Sequence, residues 1–213
     1  LATNGASPKV WCHRSALADD INTFNQQKKV FPNITLHSNI HATTSFQEAL
    51  EFSDYIVIGL SSKFYDVLRE NASLFKGKHV LCLTKGVVKE HPKLSVSKYL
   101  NDLYSPESIT VLSGPNLASE LIVKKPGATV VASENDAIAE EWQQHLSNGW
   151  FRVYTSQDVA GVEWGGILKN VMAIAAGLID GLDLGYNAKA ALITRGLKEM
   201  SRFAEAFGAN EVT

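Results

Sequence analysis

Cysteine is scarce in this sequence, and charge of either sign is close to balanced. The two cysteines among 213 residues, Cys12 and Cys82, each lie in a short apolar run without C-x-x-C or Cys/His spacing. A disulfide framework and a zinc site are therefore not expected, and both are read as buried thiols. The six histidines show no ligand spacing with cysteines or carboxylates, so an all-protein metal site is not expected either. A formal net charge of -2 gives no reason to expect a nucleic-acid partner, and Lys28, Lys29, Lys124 and Lys125 read as solvated surface. The longest apolar run, 171–179, is too short to cross a bilayer, and no basic-then-apolar leader opens the chain. No membrane insertion is expected, and a cytoplasmic location is the default. Internal repeats, low-complexity linkers and the glycine-rich G-x-G-x-x-G pattern are all missing.

What is there is an alternation. Short β-branched runs at 9–12 (KVWC), 55–59 (YIVIG), 79–83 (HVLCL), 109–112 (ITVL), 128–132 (ATVVA) and 151–154 (FRVY) are separated by helical stretches. In one of these stretches, Ser45 and Glu48 have capping-box spacing. This predicts an α/β fold with a Rossmann-like, doubly wound parallel sheet, its apolar strands covered on both faces. From about residue 156 the pattern is helical: 162–182, then 187–207, with Asn187 expected as N-cap and Gly208 as the stop. The expected division is a dinucleotide-binding part at 1–155 and the start of an all-helical part at 156–213. With no glycine-rich turn in the chain, the first strand of such a sheet and its phosphate-binding loop are expected upstream of Leu1, and "LATNG" reads as the last turn of a helix. KVWC is then the second strand.

Four stretches could carry chemistry. In GGILKN, Lys169 has Gly165 and Gly166 behind it and Met172, Ala173 and Ala176 ahead at helical spacing, so it shares a face with small residues. A single lysine usually snorkels to water. Here the small neighbours leave room for a ligand, and a partly desolvated ammonium releases its proton nearer neutral pH, which suits a general acid facing a carbonyl oxygen. Lys85 and Gly86 follow the apolar strand at 79–83, where open α/β sheets bind ligands, although loop charge would look the same. SGPNLASE (113–120) combines a strand end, a Gly-Pro turn and a helix start, a plain connection or a source of free backbone N–H groups. His13 and Arg14 follow the KVWC strand, where basic residues suit the 2′-phosphate of NADP and a solvated loop is the alternative.

Taken together, LTKGVV, SGPNLASE and the run from Val162 to Met200 resemble the NAD(P)-dependent glycerol-3-phosphate dehydrogenases, particularly the bacterial type. The resemblance extends through nearly the whole chain in order. It implies an oxidoreductase that reduces dihydroxyacetone phosphate to sn-glycerol 3-phosphate with NAD(P)H, NADP being favoured, and that feeds glycerophospholipid synthesis. By motif match, it implies Lys169 as proton donor and acceptor and Lys85 as a contact to both cofactor and substrate. Gly114 and Asn116 fall on the substrate side, Ala118 on the cofactor side, and His13 with Arg14 at the NADP phosphate.

The sequence departs from the family pattern in places. It stops at Thr213, before the G-L-G-D-L segment and the Arg-Asn pair implied for substrate phosphate. Ile167 replaces a small residue, Leu117 replaces a common Phe, and GLSSKF (59–64) lacks the frequent V-P-S. Two alternatives remain open: a related lysine-dependent hydroxyacid dehydrogenase or ketopantoate reductase, and a nucleotide-binding module without catalysis. The stripe through Ala190, Leu192, Ile193 and Leu197 could form a homodimer surface, with cover by a C-terminal segment as the preferred reading.

Overall fold

The computed structural model describes residues 1–61, 65–88 and 91–210, without the side chains of 66 and 91–94. The end of GLSSKF thus lies outside the described residues. The chain opens with a 3-10 turn, Ala2–Asn4, closed by Gly5 at φ 91. It then runs β1 (Lys9–Trp11), α1 (Ser15–Phe24), β2 (Gln26–Gln27), β3 (Phe31–Thr35), β4 (His41–Thr43), α2 (Phe46–Glu51), β5 (Tyr55–Ile58), α3 (Asp66–Arg69) and β6 (His79–Cys82). There follow β7 (Val87–Val88), β8 (His91–Ser95), α4 (Val96–Tyr104), β9 (Ser108–Ser113), α5 (Ala118–Leu121), β10 (Gly127–Ser133), α6 (Asp136–Leu146), β11 (Phe151–Ser156), α7 (Val159–Gly181) and α8 (Gly185–Glu205).

All six expected strands form. Five of them make one sheet in the order β11-β10-β9-β6-β5. Neighbours are parallel except β9 and β10, which pair antiparallel with Val130 opposite Ser113. The connection between them, 114–126, carries only the single turn of α5 in place of the helix that usually carries a parallel crossover. β1 pairs parallel with β4 in a separate ribbon. Its three residues and all four of β5 line a groove of about 640 Å³, which Pro8, Leu50 and Trp142 also border.

Val80, Cys82 and Ile58 pack with Leu68, Phe75 and Leu100 on one face of the sheet, while Leu81, Val131 and Val153 pack on Trp142 of α6 on the other. Both faces are covered, as continuous apolar strands demand. Cys12 and Cys82 are free and buried, and desolvation pushes the Cys82 thiol up to about 11. Ser45 caps α2 by accepting from the Glu48 N–H, but the Glu48 carboxylate turns to Lys9 and Thr43 instead of completing the box.

Two helix starts differ from expectation. α7 begins three residues early because Asp158, not anticipated as a cap, accepts from the Gly161 N–H at 2.8 Å. α8 begins at Gly185 after the N-cap Leu184, so Asn187 lies in its first turn, while Gly208 at φ 95 does follow its end. At 23 residues, α7 also has the length and apolarity of a membrane span, more than its longest apolar run suggests. Its first half, however, lies on the sheet, and Trp164 packs edge-on against Phe203 of α8 and tilted against Phe207 of the turn after it.

Candidate active site

The site is built where β9 ends. Gly114 follows the last residue of β9, and a Cβ there would come within 2.9 Å of the Ala128 carbonyl oxygen, the Thr129 Cα and the Thr129 hydroxyl. Only glycine allows the chain to turn so close to β10. Its carbonyl accepts two bonds, one from the Asn116 N–H at 2.9 Å and one from the Lys169 ammonium at 2.5 Å. Lys169 arrives on α7 through a second close approach. A Cβ on Gly166 would meet Ser113 Oγ at 2.2 Å and lie 3.9 Å from Lys85 Cε, so the helix seats against the strand end only because that position has no side chain.

Electrostatics follow from this seating. Burial lowers the Lys169 pKa from the ordinary lysine value, and the nearby charge of Lys85 lowers it further. Lys85 itself is exposed at the carboxyl end of β6, ahead of Gly86, whose φ of 150 suits glycine. Two cations thus face a common space, an arrangement that favours an anionic ligand. The third element is Asn116. The Thr129 hydroxyl donates to the Ser113 carbonyl, so it accepts from Asn116 Nδ2 at 2.9 Å, which fixes the amide orientation. Asn116 Oδ1 is left buried, without a hydrogen-bond partner among the described residues. A buried acceptor of this kind invites a donor from a ligand.

Lys85, Gly114, Asn116 and Lys169 therefore come together. Ala118 lies two residues beyond Asn116, exposed as the first residue of α5. His13 and Arg14 are exposed past the carboxyl end of β1, with Arg14 at the N-cap of α1. Sequence reasoning missed Glu163, buried on α7, and Asp158, whose second oxygen accepts from the Asn210 N–H and so ties the chain after α8 to the start of α7. A signal existed for each. Glu163 stands as oddly in its apolar run as Lys169 does, and Asp158 directly precedes that run.

Comparison with known proteins gives the family. The profile of the NAD-dependent glycerol-3-phosphate dehydrogenase N-terminus matches residues 1–139, and that of the C-terminus matches 158–213. The chain belongs to the NAD-dependent glycerol-3-phosphate dehydrogenase family. The glycerol-3-phosphate dehydrogenase [NAD(P)+] of Lysinibacillus sphaericus is 40% identical over 218 residues, covering 100% of this chain and 64% of that protein. The Bacillus subtilis protein of the same description is 39% identical, with 100% and 63% covered. A crystal structure of glycerol-3-phosphate dehydrogenase from Coxiella burnetii superposes with TM-score 0.89 at 32% identity, covering 99% of this chain and 65% of that one. The chain thus spans just under two thirds of the length of these dehydrogenases. Its two cations and unused buried acceptor, beyond the carboxyl ends of β6 and β9 where open α/β sheets hold ligands, fit an anionic, hydroxyl-bearing substrate beside a dinucleotide; a glycine-rich pyrophosphate turn is not in the sequence.

Proposed function

We propose that the protein to which this chain belongs reduces dihydroxyacetone phosphate to sn-glycerol 3-phosphate with NAD(P)H, in the cytoplasm, supplying glycerophospholipid synthesis. The observation that carries this reading is the Lys169 ammonium, depressed in pKa and held on the Gly114 carbonyl beside Lys85. When bound, the reduced nicotinamide supplies a hydride to the carbonyl carbon. Lys169 stabilises the negative charge that develops on the carbonyl oxygen and then transfers its proton there. The Gly114 carbonyl holds the ammonium in place until substrate arrives. Lys85 draws the anionic substrate and cofactor toward the strand ends, and Asn116 Oδ1 accepts from a substrate hydroxyl. In the oxidative direction, neutral Lys169 takes the hydroxyl proton back, which its lowered pKa favours.

Ala118 lies on the cofactor side, and His13 with Arg14 meets the 2′-phosphate, so NADP is the favoured form. The functional division runs near residue 156, with cofactor held by 1–155 and the proton donor supplied by 156–213. The groove between β1 and β5 fits one further parallel strand, which would unite the ribbon and the main sheet and carry the glycine turn. On α8, the stripe through Ala190, Leu192, Ile193 and Leu197 would be covered by a C-terminal segment or by a second subunit. Ile193 and Leu197 are exposed, which supports either cover.

The test is NADPH oxidation by the full-length protein with dihydroxyacetone phosphate, ketopantoate and a panel of 3-oxo acids. Turnover confined to dihydroxyacetone phosphate is expected. Preference for another carbonyl would replace the substrate assignment, and nucleotide binding without turnover on any of them would replace the enzymatic one.

A further inference from the structure

The N-cap of α4, Ser95, makes no side-chain capping bond to the first turn of its own helix. The N–H of Ser97 is satisfied from elsewhere: it donates at 2.9 Å to Oε1 of Glu163, 66 residues away on α7, while the Ser97 hydroxyl donates to Oε2. Ser95 adds its hydroxyl 3.2 Å from that of Ser97. Glu163 is 3% exposed and Ser97 5%. A carboxylate buried at the positive end of a nine-residue helix, with both oxygens engaged, is a strong and directional tie. Burial raises the Glu163 pKa, while the bonds from Ser97 oppose that rise.

We infer that Glu163 is a positioning residue that sets the register of α7 against α4, and so the placement of the Lys169 ammonium. Positions 163, 166 and 169 follow one another at three-residue steps, so each is the helix-surface neighbour of the next. Each has its own partner: Ser97 for Glu163, Ser113 for Gly166, the Gly114 carbonyl for Lys169. α4 packs on β9, the strand that ends in Ser113, so the three ties refer α7 to one frame. From Glu163 to Lys169 is about 9 Å of helix, short enough for a slip at the tie to reach the ammonium undiminished. Glu163 does not touch the reacting atoms; it acts through Lys169.

This inference rests on Lys169 being the proton donor, and the experiment separates the two. In the full-length enzyme, kcat, KM and NADPH affinity are measured for Glu163→Ala, Glu163→Gln, Ser97→Ala, Lys169→Ala and the Lys169→Ala/Glu163→Ala double variant. Glu163→Ala is expected to lower kcat by about 100-fold, with NADPH affinity within about twofold, as for a misplaced catalytic group. Glu163→Gln keeps an acceptor for the Ser97 N–H and can donate to the Ser97 hydroxyl, so it recovers kcat to within about fivefold. Adding Glu163→Ala to Lys169→Ala causes no further loss, because the group being positioned is gone. If Glu163→Ala does not fold, Ser97→Ala removes half of the tie and is expected to lower kcat by about tenfold. Wild-type kcat in folded Glu163→Ala or in Ser97→Ala, with Lys169→Ala inactive, overturns the inference and leaves the Lys169 assignment standing. An active Lys169→Ala overturns both.

Discussion

The two halves of α7 are both rich in apolar and small residues, and they are opposite in surroundings. In the first, 159–170, Gly161, Glu163, Trp164 and Gly166 are buried against the sheet and α8. In the second, Val171, Ile174 and Leu178 are 63%, 68% and 61% exposed. The difference lies in the small and polar residues. Glycines at 161 and 166 bring the backbone close, and Asp158, Glu163 and Lys169 each find a specific partner. The leucines and isoleucines of the second half supply only surface that could be buried, and its one charged residue, Asp180, pairs with Lys189 of α8 and not with the sheet. Apolarity makes the helix, but the polar residues that reach the sheet and its neighbours decide which half is fixed to the site.

Substitutions that fill the close approaches test this contrast hardest. Gly114→Ala sets a methyl against backbone atoms that cannot give way, so it should destabilise by about 1–3 kcal/mol and sharply lower turnover, as read by thermal melts and steady-state kinetics. Gly166→Ala should cost stability in the same range of about 1–3 kcal/mol. Its main obstacle is the Ser113 hydroxyl, so the Gly166→Ala/Ser113→Ala pair should recover much of the loss. Recovery absent in the pair would mean that α7 is not seated there.

A pH series sharpens the electrostatic side of the comparison. Reduction needs protonated Lys169, whose pKa is lowered, so kcat for reduction should fall as pH rises through a value below that of an ordinary lysine. Oxidation should rise over the same interval. Removing the Lys85 charge with Lys85→Met relieves the smaller of the two causes, so the transition should move upward modestly. The smallest effect belongs to the second half of the helix: Ile174→Ser in the 213-residue chain should change stability by no more than about 0.5 kcal/mol. A larger loss in a longer form of the protein would show that this face is covered there.

Much of the fold was legible because its strands are short, apolar and separated by helical patterns. β5, β6 and β9–β11 all fall where β-branched runs predicted them. The antiparallel β9–β10 pair was not legible, since direction depends on the path of the 114–126 connection and not on the strands themselves. Lys169 stood out as a charge in an apolar run, and its glycine neighbours indicated close packing. Its partner could not be read, because the Gly114 carbonyl is a backbone atom 55 residues away, with no side-chain signature. The Glu163–Ser97 tie was hidden for a related reason: a carboxylate capping another element's helix leaves no local spacing.

The central claim, that Lys169 delivers the proton to the substrate oxygen, is tested most directly by comparing wild-type and Lys169→Ala full-length protein in NADPH oxidation with dihydroxyacetone phosphate, alongside NADPH binding. The expected result is a loss of turnover of about 100-fold to 10,000-fold in the variant, with cofactor affinity nearly unchanged. Turnover near the wild-type level in Lys169→Ala would contradict it.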